Sequence, residues 1–150
     1  MRVDYAELAV TCAALCEGET DHVALMATLA CEVFHADDRF DWVGFYRVVA
    51  PELMKIGPYQ GGHGCLAIPF SRGVCGAAAR TGTVQLVPDV ETFPGHIACA
   101  SSTRSELVLP VFGRTGELIA VFDLDSDQPN AFDQTDVNAL TAILAESFAR

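Results

Sequence analysis

Positive charge is scarce in this chain of 150 residues: nine Lys and Arg, with Lys55 the only lysine, stand against twenty Asp and Glu, for a formal charge of -11. Nucleic acid is held through a basic face, so it is not an expected partner. Acidic surfaces are common among soluble proteins, and the charge alone names no ligand. Long apolar runs are missing too. Although 51% of the residues are hydrophobic, no stretch approaches the roughly eighteen apolar residues of a membrane span. Arg2, Asp4 and Glu7 break up the apolar run that an export signal requires. A cytoplasmic location follows as the expectation. There a permanent disulfide framework is disfavoured, and the six cysteines read as thiols, ligands or redox groups. No C-x-x-C pair is present, and His96 with Cys99 is weak grounds for zinc, so no metal site is expected. The length suits one core and one domain.

What is present falls into clear periods. Leu8, Ala9, Cys12, Leu15 and Cys16 recur at helical spacing from Tyr5 to Cys16, with Gly18 as the stop. A second helix, capped by Thr20 or Asp21, carries Val23, Met26, Ala27, Ala30, Cys31 and Phe34 as its apolar stripe. Cys12, Cys16 and Cys31 lie on these stripes and read as small core residues. Asp41 to Val49 and Leu53 to Tyr59 form a hairpin around Ala50-Pro51-Glu52. Alternation puts Trp42, Gly44 and Tyr46 on one face, and Val43, Phe45 and Arg47 on the other. Trp42 and Tyr46 suit either a core or a ligand wall, with Gly44 leaving room above the sheet.

Gln60 to Cys65 is a Gly-rich connection before Ile68-Pro69-Phe70. A short helix is expected over Ser71 to Thr81, with Ser71 as cap and Gly82 as stop. Val84 to Val87 reads as a strand, and the loop through Phe93-Pro94-Gly95 leads to Cys99. The segment from Glu106 to Asp125 is a second hairpin, and Asp133 caps a closing helix striped by Val137, Leu140, Ile143, Leu144 and Phe148. Helices at both ends with antiparallel strands between them imply an α+β fold, helices packed on a sheet.

Two groups could carry chemistry. Cys65, Cys75 and Cys99 all occupy Gly-rich surroundings, and thiols on loops are placed to react. The second group is acidic. A turn centred between Arg114 and Thr115, without a bulge, sets Glu106 directly across from Asp123, with Asp125 on the same face. Three carboxylates on one patch repel one another. A bound cation, a retained proton or an exposed edge would relieve them; the apolar strand residues around them argue against an exposed edge and favour a ligand-binding role.

From Asp41 to its end the chain resembles the free methionine-(R)-sulfoxide reductases of the GAF-domain family. The resemblance is carried by Trp42-Val43-Gly44-Phe45-Tyr46, Gly57-Pro58-Tyr59-Gln60-Gly61, Cys65 with Ile68-Pro69, and Gly73-Val74-Cys75-Gly76. It continues through Val87-Pro88-Asp89-Val90, Phe93-Pro94-Gly95-His96-Ile97-Ala98-Cys99, Ser105-Glu106 and Asp123-Leu124-Asp125-Ser126. It implies a six-stranded antiparallel sheet flanked by N- and C-terminal helices, with residues 1–150 as a single GAF domain. The implied activity is reduction of free, not peptide-bound, methionine-R-sulfoxide, without a cofactor.

In that light Cys99 is the expected nucleophile and Cys65 the resolving thiol. Cys75 is an alternate resolving or relay thiol, or the start of a helix whose dipole keeps it reactive. Trp42 and Tyr46 would wall in the thioether end of the substrate. Glu106, Asp123 and Asp125 would bind its ammonium, with Glu106 or Asp123 protonated as the acid. Thioredoxin is the expected reductant, and a homodimer is left open as the assembly. Two departures from the family pattern bear on efficiency: Ala100 stands where an acidic residue usually follows the cysteine, and Gly62 replaces a common basic residue. The alternative is a non-catalytic GAF module that senses a small ligand or redox state. Such sensors are normally joined to an output domain, and 150 residues hold none, which favours the enzyme.

Overall fold

The computed structural model describes residues 1–97 and 101–149. Helix α1 (Tyr5–Leu15) starts where the Asp4 side chain accepts from the Glu7 amide. Helix α2 (His22–Ala36) starts where Asp21 accepts from the amides of Val23 and Ala24. Each cap satisfies amides that the first turn leaves without partners, a contribution of about 1 kcal/mol. Helix α2 buries Leu25, Met26, Leu29, Ala30 and Val33, a stripe turned from the expected one. Val23 is 53% exposed and Cys31 only half-buried. Leu25, Leu29 and Val33 offer more apolar area than Val23, Ala27 and Cys31, and the larger set takes the core side. Cys12 and Cys16 are buried as expected, and burial pushes the Cys12 thiol up to about 12.

Six strands follow: β1 (Trp42–Ala50), β2 (Leu53–Gln60), β3 (Ala67–Pro69), β4 (Gln85–Val87), β5 (Ser105–Phe112) and β6 (Leu118–Ser126). They form one antiparallel sheet in the order β3-β2-β1-β6-β5-β4. Helix α3 (Gly73–Thr81) lies between β3 and β4, and α4 (Gln134–Phe148) closes the order. Alternation along β1 holds: Val43 and Phe45 join the core formed with α1, α2 and α4, while Trp42 and Tyr46 join a second core beneath α3. The side-chain period of two thus gives the sheet two buried faces of different character. Among the described residues, no helix is long and apolar enough to cross a membrane.

Three local details differ from expectation. Ser71 does not cap α3; Arg72 occupies the cap position with no side-chain hydrogen bond. The start is fixed instead by Gly73, at φ +71°, whose N–H donates to the Gly95 carbonyl at 3.1 Å. A Cβ there would lie 3.1 Å from the Ile97 side chain, so the helix start and the loop after Gly95 are fitted to each other. The second detail is register. Glu106 pairs with Asp125, and Asp123 pairs with Val108. Gly113 bonds to Glu117 across the turn, which centres it on Thr115, and an irregularity between Val111 and Phe112 adds a further step. A bulge of this kind moves every later pair along.

The third detail is a buried ionic knot that pattern reading passed over. Arg39 reaches Asp37 at 2.7 Å and Asp136 at 3.0 Å, and all three residues are buried. The Tyr5 hydroxyl donates to Asp136 at 2.6 Å. Asp136 also completes the capping box of α4 with Asp133, so the knot ties both terminal helices to the connection between α2 and β1.

Candidate active site

The second face of the sheet carries a small cavity. Strand β1 contributes Trp42 and Tyr46, α3 contributes Gly73, Val74 and Cys75, β5 contributes Glu106, and β6 contributes Asp123 and Asp125. The cavity measures about 30 Å³. Register explains why these side chains meet. Trp42 pairs with Asp125 and Gly44 with Asp123 across β1 and β6, while Glu106 pairs with Asp125 across β5 and β6. Directly opposed residues point to the same side, so the carboxylates and the aromatic residues share one face.

Gly44 does not leave open space, contrary to expectation. A Cβ on it would lie 2.4 Å from the Tyr59 Cβ and 2.5 Å from the Trp42 ring. The indole folds over the glycine and stacks between Tyr46, at 6.0 Å, and Tyr59, at 5.3 Å. Its Nε1–H donates to the Gly62 carbonyl at 2.8 Å. A Cβ on Gly64 would lie 2.9 Å from the Tyr46 hydroxyl, so the Gly-rich segment lies directly on the aromatic wall. Cys65 follows on that segment, half-buried and packed against the same core.

The carboxylates are deep. Glu106 is 6% exposed and Asp123 4%; Asp125 sits nearer the surface. Burial pushes all three carboxyls well above the usual carboxylate range, and their mutual repulsion adds to it. No Lys or Arg among the described residues pairs with any of them. Asp123 Oδ1 and Asp125 Oδ1 are buried without a hydrogen-bond partner. Of the three ways to relieve the cluster, the exposed edge is ruled out by this burial; proton retention fits it. A carboxyl that keeps its proton near neutral pH is a ready general acid.

Cys75 is a free, buried thiol. Its position in the first turn of α3 does not activate it. Burial pushes the thiol well up, and the nearby acids, Asp123 foremost, push it further. The helix dipole would have to outweigh both to lower it. Tyr46 is shifted up for the same two reasons, burial and then Asp123.

The cavity also holds residues that the sequence reading did not assign to it: His63, Gly64, Ile68, His96, Ile97 and Thr103. His96 Nε2 stands 3.8 Å from Glu106 Oε1. Burial lowers the imidazole from its ordinary value. Its place three residues before Cys99 was the available signal. Cys99 and Ala100, named above as the nucleophile and a family departure, lie outside the described residues.

Comparison with known proteins adds an independent finding. The model of the GAF domain matches residues 18–146. A free methionine-R-sulfoxide reductase of Escherichia coli is 36% identical over 142 residues, covering 95% of this chain and 85% of the relative. One of Saccharomyces cerevisiae is 38% identical over 128 residues, covering 81% of this chain and 71% of the relative. A solved structure of free methionine-R-sulfoxide reductase from Neisseria meningitidis, in complex with its substrate, superposes with a TM-score of 0.88 at 40% identity. It covers 96% of this chain and 87% of that one.

Proposed function

Because the chain belongs to the GAF-domain family, among the free methionine-R-sulfoxide reductases, we propose that it reduces free methionine-R-sulfoxide to methionine with its own thiols. The observation that carries this reading is the cluster of Glu106, Asp123 and Asp125, buried with no opposing cation beside a thiol and an aromatic wall. A free amino acid brings the missing cation as its ammonium, which a carboxylate group binds through charge-assisted hydrogen bonds. A peptide-bound residue lacks it. Asp125, nearest the surface, takes the ammonium, while the deeper Glu106 or Asp123 gives its proton to the sulfoxide oxygen. Trp42 and Tyr46 hold the methyl and thioether end and select the epimer by shape. The cavity of about 30 Å³ has room for little more than a water or two, so substrate entry requires its walls to move apart.

The thiolate of Cys99 attacks the sulfoxide sulfur. The oxygen passes to the cysteine as a sulfenic acid, and methionine leaves with the two electrons the thiol gave up. Cys65 then condenses with the sulfenic acid, releasing water and forming a disulfide, which thioredoxin reduces by exchange. Cys75, buried and protonated, is a relay or a structural thiol in this scheme. The chain works as a cytoplasmic GAF domain.

One experiment tests the reading. The reduced protein is mixed separately with free methionine-R-sulfoxide, the S epimer and a peptide-bound R sulfoxide, and thiols are counted before and after. Loss of two thiols with the free R epimer alone is expected; no loss with any of the three would sink the proposal. Cys99→Ser should abolish methionine formation, while Cys65→Ser should leave about one turnover without recycling. The reverse pattern would exchange their roles.

A further inference from the structure

The floor of the cavity has the makings of a second kind of site. Cys75 Sγ, one Glu106 oxygen and one Asp123 oxygen all lie within 4.8 Å of one another, and all three residues are buried. Independently, Asp123 Oδ1 has no hydrogen-bond partner although its residue is 96% buried, and Asp125 Oδ1 is unpartnered beside it. Buried polar atoms are nearly always satisfied, and two orphans in one cluster call for an occupant. These ligands come from α3, β5 and β6, so no spacing in the sequence announces them.

We propose that Cys75, Glu106 and Asp123 form an inhibitory site for a thiophilic divalent cation of the zinc class, with the fourth coordination position left to water. The sulfur decides the class: thiolate ligands favour zinc and its heavier congener cadmium, whereas magnesium and calcium take oxygen alone. Zinc bonds run roughly 2.3 Å to sulfur and 2.0–2.2 Å to oxygen. Ligand atoms in such a tetrahedron stand roughly 3.5 Å apart, which small side-chain rotations achieve from separations no larger than 4.8 Å. An ion also fits the available space, where an amino acid does not. Metal entry displaces the thiol and carboxyl protons to solvent and moves no electrons. The cation relieves the repulsion among the acids in place of the protons they otherwise retain. It also takes the place of the substrate ammonium, so metal and free methionine-R-sulfoxide exclude each other; this last clause rests on the proposed function, and the metal site itself does not.

The test is a titration with cadmium chloride of reduced, chelator-treated protein carrying Cys65→Ser and Cys99→Ser, which removes the thiol pair proposed to form the disulfide as a competing ligand set, following the thiolate-to-metal charge-transfer band in the ultraviolet. One strong equivalent is expected. Cys75→Ser should lose it, and Asp123→Asn should weaken it by at least about tenfold, while Cys31→Ser should leave it intact. No strong equivalent, or one that survives Cys75→Ser, overturns the site. Circular dichroism checks the fold of each variant; should Cys75→Ser fail to fold, unchanged affinity in both Asp123→Asn and Glu106→Gln overturns it instead. A competition arm uses the same Cys65→Ser and Cys99→Ser background, which cannot consume the sulfoxide. Free methionine-R-sulfoxide should weaken apparent cadmium affinity. A Cys75-dependent band that ignores the sulfoxide would leave the metal site standing and count against the substrate reading.

Discussion

Two groups of buried acids in this molecule are handled in opposite ways. At the knot joining the terminal helices, burial alone would raise Asp37 and Asp136, but hydrogen bonds from Arg39 outweigh it and hold both below the usual carboxylate range. On the other face, Glu106, Asp123 and Asp125 have no such cation and are held well above it. The same chain that matches two carboxylates to a guanidinium in one place leaves three unmatched in another. A buried acid is costly unless paired, so the unmatched group marks where the protein spends stability on chemistry, and the matched group marks where acids only hold the fold.

The sharpest way to break this contrast is to remove the cation from the matched side. Arg39→Met should cost about 3–5 kcal/mol by stranding two buried carboxylates, read from the urea midpoint; an unchanged midpoint would mean that the knot is incidental. Glu106→Gln does the reverse. It should lower kcat/KM for free methionine-R-sulfoxide by about 10²-fold, as loss of a general acid does, while leaving the urea midpoint unchanged or higher. Loss of stability in step with activity would erase the distinction.

The third test is pH. Asp37 and Asp136 have depressed values, so their stabilisation is present above the unfolded-state value of about 4 and is lost as pH falls through their folded values. The unmatched acids have raised values. Between about pH 4 and their folded values the native state holds more protons than the unfolded one, and stability falls as pH rises, by up to about 1.4 kcal/mol per unit for each extra proton held. Glu106→Gln should flatten that decline in urea titrations across neutral pH and leave the acid limb alone. The smallest effect is expected for Tyr5→Phe, which takes one donor from Asp136 while both Arg39 contacts at 3.0 Å stay. About 1 kcal/mol of stability should be lost, with activity untouched.

How much of this was legible beforehand follows from range. The caps at Asp21 and Asp133, the face alternation of β1 and the stripe of α4 are local patterns, and all are found. The common face of Glu106, Asp123 and Asp125 was legible because period two survives a two-residue error in pairing. Their true partners were not, because the position of the turn and a bulge near Phe112 leave no mark in composition. Helix α2 misled because two candidate stripes overlap and the choice between them depends on what the sheet offers. The Arg39 knot joins residues far apart in the chain, and His96 meets Glu106 across a loop rather than along an element; no periodicity reaches either contact. Cys75 shows the same limit: its helical position could be read, but the burial that raises its thiol, and the acids that add to it, come from strands elsewhere in the sequence.

The hydrogen bond from Trp42 to the Gly62 carbonyl carries a practical corollary. Trp42 is the only tryptophan in the chain, and the residue is 6% exposed beneath the segment that bears Cys65. Any movement that lifts this segment must break the indole bond and wet the ring, so the emission of a single native fluorophore reports the opening of the cavity in real time, without a label.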